Sequence, residues 1–416
     1  MAAGGAEIVV LQRHAHRGQA LLTFTRADVA YLSGDAGVAA LAEVAGYGLS
    51  DSSLLADVAA IRDRFPDHAA VLVETTRLRR RAVAKFGDLA SDWLFTDEAL
   101  QQATAATVAR HRARRLAGRV VHDATCSIGT ELAALRDTAE YLIGSDIDVV
   151  RLAMARHNLG PQVPLCRADA LAPITSGPGV VVLLDPARRS GGRRRFDPRA
   201  YTPPLDRLAD VYRGRATALK CAPGIDFDAV RRLGFDGEIE VISADGSVRE
   251  ACLWSVDLAE PGVRRRATVL SGSLGTEEHL TDMDPDDCGS GDPGRWIVDP
   301  DGAVVRAGLV RQYATRHGLW QLDPDIAYLT GDALPEGVRG FEVLDQLPLR
   351  EKILRQALSA RDCGSLEILV RGVDVDPDVL RRRLRPSGNQ AMSLVIMRRG
   401  AGPAARAVAF ICRASR

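Results

Sequence analysis

Four aspartates stand at the ends of four apolar, strand-like segments in the middle of the chain. They are Asp123, Asp146, Asp169 and Asp185. Carboxylate oxygens accept hydrogen bonds from hydroxyl and amino groups, so such a set can hold the sugar and the base of a nucleotide-like ligand. In an open α/β sheet, ligands bind at the carboxyl ends of the strands. If the four segments are parallel strands, their carboxylates converge on one site.

The segment after the first aspartate has the composition of a ligand-binding turn. Residues 120–123 form an apolar strand that closes on a carboxylate, and small residues lead through Gly129 to a helix start. Small residues let the backbone approach a ligand closely, and the first N–H groups of a helix have no partner inside the helix. The segment therefore predicts a nucleotide-cofactor site.

Strand-like and helix-like segments alternate strictly from residue 119 onward, which predicts a doubly wound α/β sheet. A nicotinamide-binding domain would continue with another crossover helix. Here residues 238–243 and 249–256 are strand-like segments joined through Asp245 and Gly246, a strong hairpin signal. A parallel sheet that closes with an antiparallel hairpin is typical of class I S-adenosylmethionine-dependent methyltransferases.

The flanking regions have patterns of their own. Residues 27 to about 92 carry apolar positions at helical spacing, and a further helix is predicted from residue 96 to residue 115. Residues 274–294 are rich in Gly, Asp and Pro, which indicates a solvated loop or linker. Residues 340–416 alternate strands with two helices and predict a small α+β domain.

Composition excludes several classes of protein. The 416 residues are 46% hydrophobic and carry no formal net charge, which is typical of a globular protein of two or three domains. No apolar run is long enough for a membrane span, and no signal peptide is predicted. Seven cysteines without a C-x-x-C pair indicate neither a disulfide framework nor a zinc site. We expect no bound metal and a cytoplasmic location.

The chain resembles class I S-adenosylmethionine-dependent methyltransferases that carry a C-terminal THUMP-like domain. Residues 123–130 correspond to the family's acid-x-Gly-x-Gly-x-Gly loop, residues 144–148 to its ribose-binding strand, and residues 185–189 to its fourth motif. Residues 371–384 resemble the THUMP-like tail. The resemblance implies a helical N-terminal region at 1–95, a Rossmann-like methyltransferase domain with a seven-stranded sheet at 96–260, a connector at 261–339 and a THUMP-like domain at 340–416.

The resemblance also implies S-adenosylmethionine as the cofactor. Asp123 would orient the methionine moiety, Asp146 would accept the ribose hydroxyls, and Asp169 would accept the adenine amino group. The loop departs from the family pattern at Thr125 and Ser127, where glycines are expected and where a positive φ would be strained. The residues implied to bind the cofactor are Asp123, Thr125, Cys126, Gly129, Asp146, Ile147, Asp169 and Ala170.

The fourth motif, from Asp185 to Arg188, concerns the methyl acceptor. Methyltransferases that act on exocyclic base amines often have an aromatic residue here, which stacks on a flipped base. This chain has no aromatic residue in the motif. The resemblance implies Asp185, Pro186 and Arg188 as catalytic residues, with Asp185 and the backbone beside it holding the acceptor.

An acid-Pro-x-Arg motif resembles RNA methyltransferases that include the 5-methyluridine group. That group uses a cysteine nucleophile after the fifth strand, where this chain has Cys221. The neighbouring Lys220 could lower the pKa of the thiol. The alternative interpretation of Cys221 is a small apolar residue buried at a strand end, as free cysteines commonly are.

Arginines cluster in two places. Only three of the 54 basic residues are lysines, a bias that composition alone explains, so the clusters carry more information than the total. Residues 188–199 contain six arginines, and residues 371–416 contain ten arginines and three aspartates. Arginine-rich segments bind phosphates. We therefore expect structured RNA as a partner of both the Arg188–Arg199 loop and the C-terminal domain.

These observations predict a methyltransferase that uses S-adenosylmethionine and methylates a base in structured RNA, either tRNA or rRNA. Two alternatives stay open. A methyltransferase for a small molecule or a protein would keep the cofactor site but would not need the basic tail. A non-catalytic RNA-binding protein would keep the tail, while its glycine-poor loop would not hold the cofactor.

Overall fold

The computed structural model describes residues 22–188, 198–272, 275–402 and 405–415. Within these residues the chain divides into two units. The first unit holds the described residues up to 264 together with residues 270–277, and the second unit holds residues 265–269 and those from 278 onward. No helix in the described ranges has both the length and the apolarity that crossing a bilayer requires.

The first unit begins with four helices. They are α1 (Arg26–Ser33), α2 (Asp35–Val44), α3 (Leu54–Arg64) and α4 (Ala69–Phe86), followed by a 3-10 turn at Gly87–Ser91. Helix α1 starts with a capping box between Thr25 and Asp28. The apolar core of this region includes Ile128 and Met154, so the predicted helical N-terminal region packs directly on the residues around the cofactor loop.

The single helix predicted over residues 96–115 is wrong, because the chain forms two helices there. They are α5 (Asp97–Gln102) and α6 (Ala106–Arg115). Ala103 has an extended backbone between them, with ψ at 141°. The break places Thr104 in the interior, where its hydroxyl contacts the amine of Lys220. A buried polar contact therefore overrides a continuous helical pattern.

A parallel sheet with intervening helices follows. Its order is β8-β9-β7-β4-β1-β2-β3. The bounds are β1 (Val120–Asp123), α7 (Thr130–Leu135), β2 (Tyr141–Asp146), α8 (Val149–Leu159), β3 (Leu165–Arg167), β4 (Val180–Leu184), β5 (Ala187–Arg188), β6 (Tyr201–Thr202), α9 (Leu205–Val211), β7 (Thr217–Cys221), α10 (Phe227–Arg232), β8 (Glu238–Ala244) and β9 (Ser247–Trp254). Strand β9 pairs antiparallel with β7 and β8, so the predicted Rossmann-like sheet with a terminal hairpin is confirmed.

The turn of that hairpin uses the two residues that the sequence marks. Asp245 and Gly246 have φ values of 50° and 72°, the left-handed backbone that tight hairpins need. Two further strands, β10 (Arg265–Ser271) and β11 (Thr276–Thr281), follow this hairpin along the chain. Residues 276–281 are therefore a strand rather than part of a linker. Their polar sequence hides this, because Leu280 is the one buried apolar side chain on β11.

The second unit is built on a seven-stranded sheet of order β13-β14-β12-β15-β18-β17-β16. Its elements are β12 (Trp296–Val298), α11 (Gly302–Ala307), α12 (Val310–Arg316), β13 (Trp320–Asp323), β14 (Ile326–Gly331), β15 (Gly340–Pro348), α13 (Glu351–Ser359), β16 (Cys363–Arg371), α14 (Pro377–Leu384), β17 (Gln390–Arg399) and β18 (Arg406–Ala414). Strands β12 to β14 come from the segment 261–339. Helices α13 and α14 share one apolar core with β16, β17 and β18, as expected for the predicted α+β domain.

Candidate functional site

The carboxyl ends of four neighbouring strands meet at one edge of the first unit's sheet. Asp123 pairs in register with Gly144 of β2 and with Leu183 of β4, and Asp146 pairs with Arg167 of β3. Beyond β3, the N–H of Ala168 donates to the carbonyl of Asp146 at 3.2 Å. The four aspartates that the sequence singles out, Asp123, Asp146, Asp169 and Asp185, therefore follow adjacent strand ends.

The loop after β1 is fastened to these carboxylates by its backbone N–H groups. The N–H of Thr125 donates to Asp123 Oδ1 at 3.2 Å, and the N–H of Ser127 donates to Asp146 Oδ2 at 2.9 Å. The N–H of Asp148 donates to Asp146 Oδ1 at 2.8 Å. Asp146 thus fixes both the loop and the start of α8. Each of its oxygens retains a second lone pair that a ligand hydroxyl could use.

The three small residues of the loop, Thr125, Ser127 and Gly129, differ in backbone conformation. Gly129 has φ of 90°, and a Cβ there would lie 2.7 Å from Leu159 Cδ1, so only glycine fits. Ser127 has φ of 50°, a left-handed backbone that costs a residue with a Cβ roughly 1–2 kcal/mol. Thr125 lacks a positive φ. The strain expected where glycine is replaced is therefore present at Ser127 and absent at Thr125.

The side chain of Thr125 makes a contact that glycine could not make. Its Oγ1 accepts a hydrogen bond from the N–H of Asp185 at 2.6 Å. This bond joins the loop after β1 to the fourth motif after β4. The departure from the glycine pattern at this position therefore couples the two halves of the site.

The remaining residues implied by the resemblance differ in their environments. Cys126 is buried and its N–H donates to the Ser145 carbonyl, so its side chain belongs to the core. Ile147 follows Asp146 and is 60% exposed, which leaves an apolar surface beside the carboxylate. Asp169 accepts from the N–H of Leu171 at 2.9 Å. The Ala170 carbonyl accepts from the Tyr212 hydroxyl at 2.7 Å.

A lysine that is 5% exposed lies behind Asp185. Lys220 Nζ is 2.5 Å from Asp185 Oδ2 and 3.2 Å from Glu131 Oε1. The same amine contacts the hydroxyl of Thr104. Burial alone would lower the pKa of Lys220, but the charges of Asp185 and Glu131 outweigh it and raise the pKa. Lys220 is therefore a fully charged ammonium.

The buried charges continue through α6. Arg112 is fully buried, donates to Glu131 Oε1 at 2.6 Å and pairs with Glu250 on β9. Burial would raise the pKa of Glu131, but Arg112 and Lys220 outweigh it and lower the pKa to about 2. We call the series Asp185, Lys220, Glu131, Arg112 and Glu250 the ion-pair chain. It runs from the strand ends into the interior of the first unit.

The pKa of Asp123 shifts in the opposite direction from that of Glu131. Burial raises its pKa well above the usual range, and the charge of Glu131 raises it further. Glu131 Oε2 is buried and has no hydrogen-bond partner among the described residues. The raised pKa means that Asp123 favours its neutral form in these surroundings, and a cationic ligand group beside it would favour the ionised form instead.

Sequence reasoning missed Lys85, Glu131, Arg112 and the position of Lys220. Lys85 on α4 donates to the carbonyls of Leu100 and Gln101 at 2.8 and 3.2 Å. Burial, reinforced by Lys220 and Arg249, lowers its pKa to about 8. One signal could have found the lysines. Lysine stands at only three of the 54 basic positions, and its rarity draws attention to Lys85 and Lys220, which are not exposed, as well as to the exposed Lys352.

The fourth motif lies at the base of a short hairpin. Ala187 pairs with Thr202 across β5 and β6, and the hydroxyl of Tyr201 accepts from the N–H of Ala222 at 2.9 Å. Asp185 has a 38% exposed side chain and Pro186 is buried. Of the predicted Arg188–Arg199 loop, residues 189–197 lie outside the described residues. Arg199 is 3.7 Å from Asp206.

Two proteins and two protein families are similar in sequence to this chain. Two proteins of Mycobacterium tuberculosis, from strains CDC 1551 and H37Rv, are named uncharacterized S-adenosylmethionine-dependent methyltransferases. Each is 64% identical over 364 residues, which is 86% of this chain and 100% of the relative. The THUMP domain-like family matches residues 338–414, and a family described as a domain of unknown function matches residues 25–82.

A solved structure shares the fold. A crystal structure assigned as a methyltransferase, from Porphyromonas gingivalis W83, aligns with a TM-score of 0.66 at 20% identity. The alignment covers 84% of this chain and 92% of that one. At this identity the likeness concerns the fold alone.

Two glycine substitutions in the loop are expected to have opposite effects. Thr125→Gly removes the bond to Asp185 and adds backbone entropy to the unfolded chain, so it should lower the free energy of unfolding by about 1–2 kcal/mol. Ser127→Gly relieves the left-handed backbone and should raise it by about 0.5 kcal/mol or more. Urea unfolding measures both. Thr125→Ser keeps the hydroxyl and serves as the control, and equal effects of the two glycine variants would contradict this account of the loop.

The buried carboxylate of Glu131 gives the stability a defined pH dependence. Its pKa falls from 4.5 to about 2 on folding, so its stabilisation is complete above pH 4.5 and is lost as the pH falls toward 2. At neutral pH, Glu131→Gln should lower the free energy of unfolding by about 3 kcal/mol. Unfolding curves of wild type and variant should converge in acid. Glu43→Gln, which breaks the exposed pair with Arg64, should cost less than about 1 kcal/mol, and parallel pH curves for wild type and Glu131→Gln would refute the assignment.

Proposed function

The chain belongs to the S-adenosylmethionine-dependent methyltransferases, and from this premise we propose that it methylates a base in structured RNA. Its cofactor is S-adenosylmethionine, which supplies a methyl group activated on a sulfonium centre. A cationic helical face on the second unit supports RNA as the substrate. We assign the binding of the cofactor and of the methyl acceptor to residues of the first unit.

The donor set at the strand ends fits this cofactor. Asp146, whose two oxygens already fix the loop and α8, would accept the ribose hydroxyls with its remaining lone pairs. The exposed Ile147 would cover the adenine ring, and Asp169 would accept the adenine amino group. At the other end, a cationic group of the cofactor, its sulfonium or its ammonium, would lie beside Asp123 and favour the ionised form of that carboxyl group.

Asp185 is the residue we assign to the acceptor. One of its oxygens is held by Lys220 at 2.5 Å, and its N–H is held by Thr125. Its side chain remains 38% exposed. Asp185 and the backbone of Pro186 would orient the acceptor's lone pair, so most of the catalysis would come from positioning. Arg188 would contact the substrate next to them.

The cationic helical face consists of α13, α14 and the residues that flank them. Residues 350–359 and 376–385 contain seven basic and three acidic side chains. Leu354, Leu358, Leu380 and Leu384 turn inward to the core, which leaves the charged side chains outside. The exposed cations of this face are Arg350, Lys352, Arg355, Arg382, Arg383 and Arg385, of which Arg383 pairs with Glu351 at 2.9 Å. Such a density of arginine on one face is a footprint for nucleic-acid phosphates.

Three other arginines of residues 371–416 form ion pairs with aspartates of the second unit. Arg371, Arg398 and Arg399 pair with Asp299, Asp325 and Asp292, at 2.7, 3.3 and 2.7 Å. These acids lie 72 or more residues earlier in the chain. The excess of arginine over residues 371–416 therefore overstates the charge available to RNA. The cationic helical face is the part that supports the proposal.

The test is nucleoside mass spectrometry on RNA from cells with and without the protein. Total tRNA and rRNA are digested, and a methylated nucleoside should be missing from the cells that lack the protein. Purified protein with S-adenosylmethionine should restore that nucleoside in vitro. Unchanged nucleoside profiles, together with methyl transfer to protein or to small molecules, would replace this proposal with the alternative substrate classes.

Variants of the cationic helical face connect this result to the second unit. Arg382→Glu with Arg385→Glu should weaken RNA binding at physiological salt by roughly 10-fold or more, because each lost phosphate contact lowers the affinity. Arg62→Glu with Arg136→Glu changes the net charge equally at exposed positions of the first unit, one on α3 and one directly after α7, and should have a smaller effect. Equal losses in the two double variants would show that only net charge matters.

A further inference from the structure

The ammonium of Lys220 has no donor left for a substrate. A lysine amine carries three N–H donors. In this chain they face three acceptors, which are Asp185 Oδ2, Glu131 Oε1 and the hydroxyl of Thr104. The side chain is 5% exposed. Lys220 is therefore placed to act on the reaction only through the groups that it holds.

Asp185 is held from two directions. Thr125 Oγ1 accepts from its backbone N–H at 2.6 Å, and Lys220 Nζ lies 2.5 Å from its Oδ2. Oδ1 makes no hydrogen bond to the described residues, while the side chain as a whole is 38% exposed. One oxygen is thus fixed from behind, and the other is available in front.

We propose that Lys220 is the positioning residue for methyl transfer, holding Asp185 so that its second carboxylate oxygen accepts a hydrogen bond from the N–H or O–H of the methyl acceptor. As the lone pair of that atom takes the methyl group, S-adenosylhomocysteine leaves and the proton of the acceptor passes to this oxygen. The proposal rests on the assignment of Asp185 to the acceptor made above. A carboxylate paired with a buried ammonium is a hydrogen-bond acceptor rather than a donor. It selects acceptor atoms that carry hydrogen, such as a base nitrogen or a hydroxyl.

The geometry opposes the other role considered for this lysine. Successive residues on a strand point to opposite faces of the sheet. Lys220 points toward Glu131 and Thr104, whereas Cys221 belongs to the apolar core on the other face, with Leu184, Leu205 and Ile225. The lysine therefore serves Asp185 and does not activate the thiol of Cys221.

Glu131 provides a matched control within the same ion-pair chain. It contacts Lys220 and Arg112 but makes no contact with Asp185. A purely structural role of the ion-pair chain would make Lys220 and Glu131 equally important for the reaction rate. A positioning role makes Lys220 the more important of the two, because only Lys220 holds the carboxylate.

The experiment follows transfer of labelled methyl from S-adenosylmethionine to an extract of cells that lack the protein. That extract contains RNA, protein and small molecules, so the acceptor need not be known. Lys220→Met should bind S-adenosylhomocysteine within about threefold of wild type but lower the maximal rate by about 100-fold, as misplaced groups do. The extract concentration at half-maximal rate should change much less. Lys220→Arg should recover part of the rate, and Glu131→Gln should lower it less than about tenfold.

The outcomes test the positioning role of Lys220 separately from the proposal that the substrate is RNA. If Lys220→Met binds S-adenosylhomocysteine and transfers methyl at the wild-type rate, or if it and Glu131→Gln lose rate equally, the positioning role is wrong. If Lys220→Met does not fold, the double variant Lys220→Met with Glu131→Gln removes one charge of each sign and is judged by the same rate. Label on a carbon atom would overturn the acceptor class. Label that resists ribonuclease would count against RNA alone.

Discussion

The arrangement of the first unit depends on keeping its buried charges paired. A buried charge left without a partner costs several kcal/mol, so Lys220, Glu131 and Arg112 must meet in the interior. They come from β7, α7 and α6, and the break after α5 brings in Thr104 as well. Because these contacts are mutually required, they fix the elements around the strand ends. The ion-pair chain ends at Asp185, the residue that we propose holds the methyl acceptor.

The hydroxyl of Thr125 explains one of the two places where the loop after β1 departs from the family's glycine pattern. A glycine at position 125 would leave the N–H of Asp185 without the hydroxyl that now accepts from it. Ser127 adopts a strained backbone, and its N–H is satisfied by Asp146. Gly129 alone needs the absence of a side chain, because Leu159 occupies the space. The Thr125 hydroxyl thus supplies one bond that joins the loop to the segment after β4, whereas the bond from Ser127 uses a backbone N–H that glycine would also provide.

The sequence predicted the features that depend on local pattern. Alternating strands and helices, the turn at Asp245 and Gly246, and the acids at strand ends are all visible within short windows. The ion-pair chain was not predictable, since Arg112 and Glu131 are 19 residues apart, Lys220 and Asp185 are 35, and Lys220 and Thr104 are 116. The same distance problem concealed the partners of Arg371 and Arg399 and made the tail look more cationic than it is. Polar β11 was missed because one buried leucine makes no periodic signal.

We propose that the strand-end aspartates and the glycine-poor loop after β1 together bind S-adenosylmethionine. Isothermal titration calorimetry with S-adenosylhomocysteine tests it most directly, because it needs no acceptor. The wild-type chain should bind one ligand, and Asp146→Ala should lower the affinity by about 10-fold or more, because it would remove the proposed acceptor of the ribose hydroxyls. Asp137→Ala, at an exposed position, should bind as wild type does. Absence of binding by the wild-type protein, or unchanged affinity in Asp146→Ala, would contradict it.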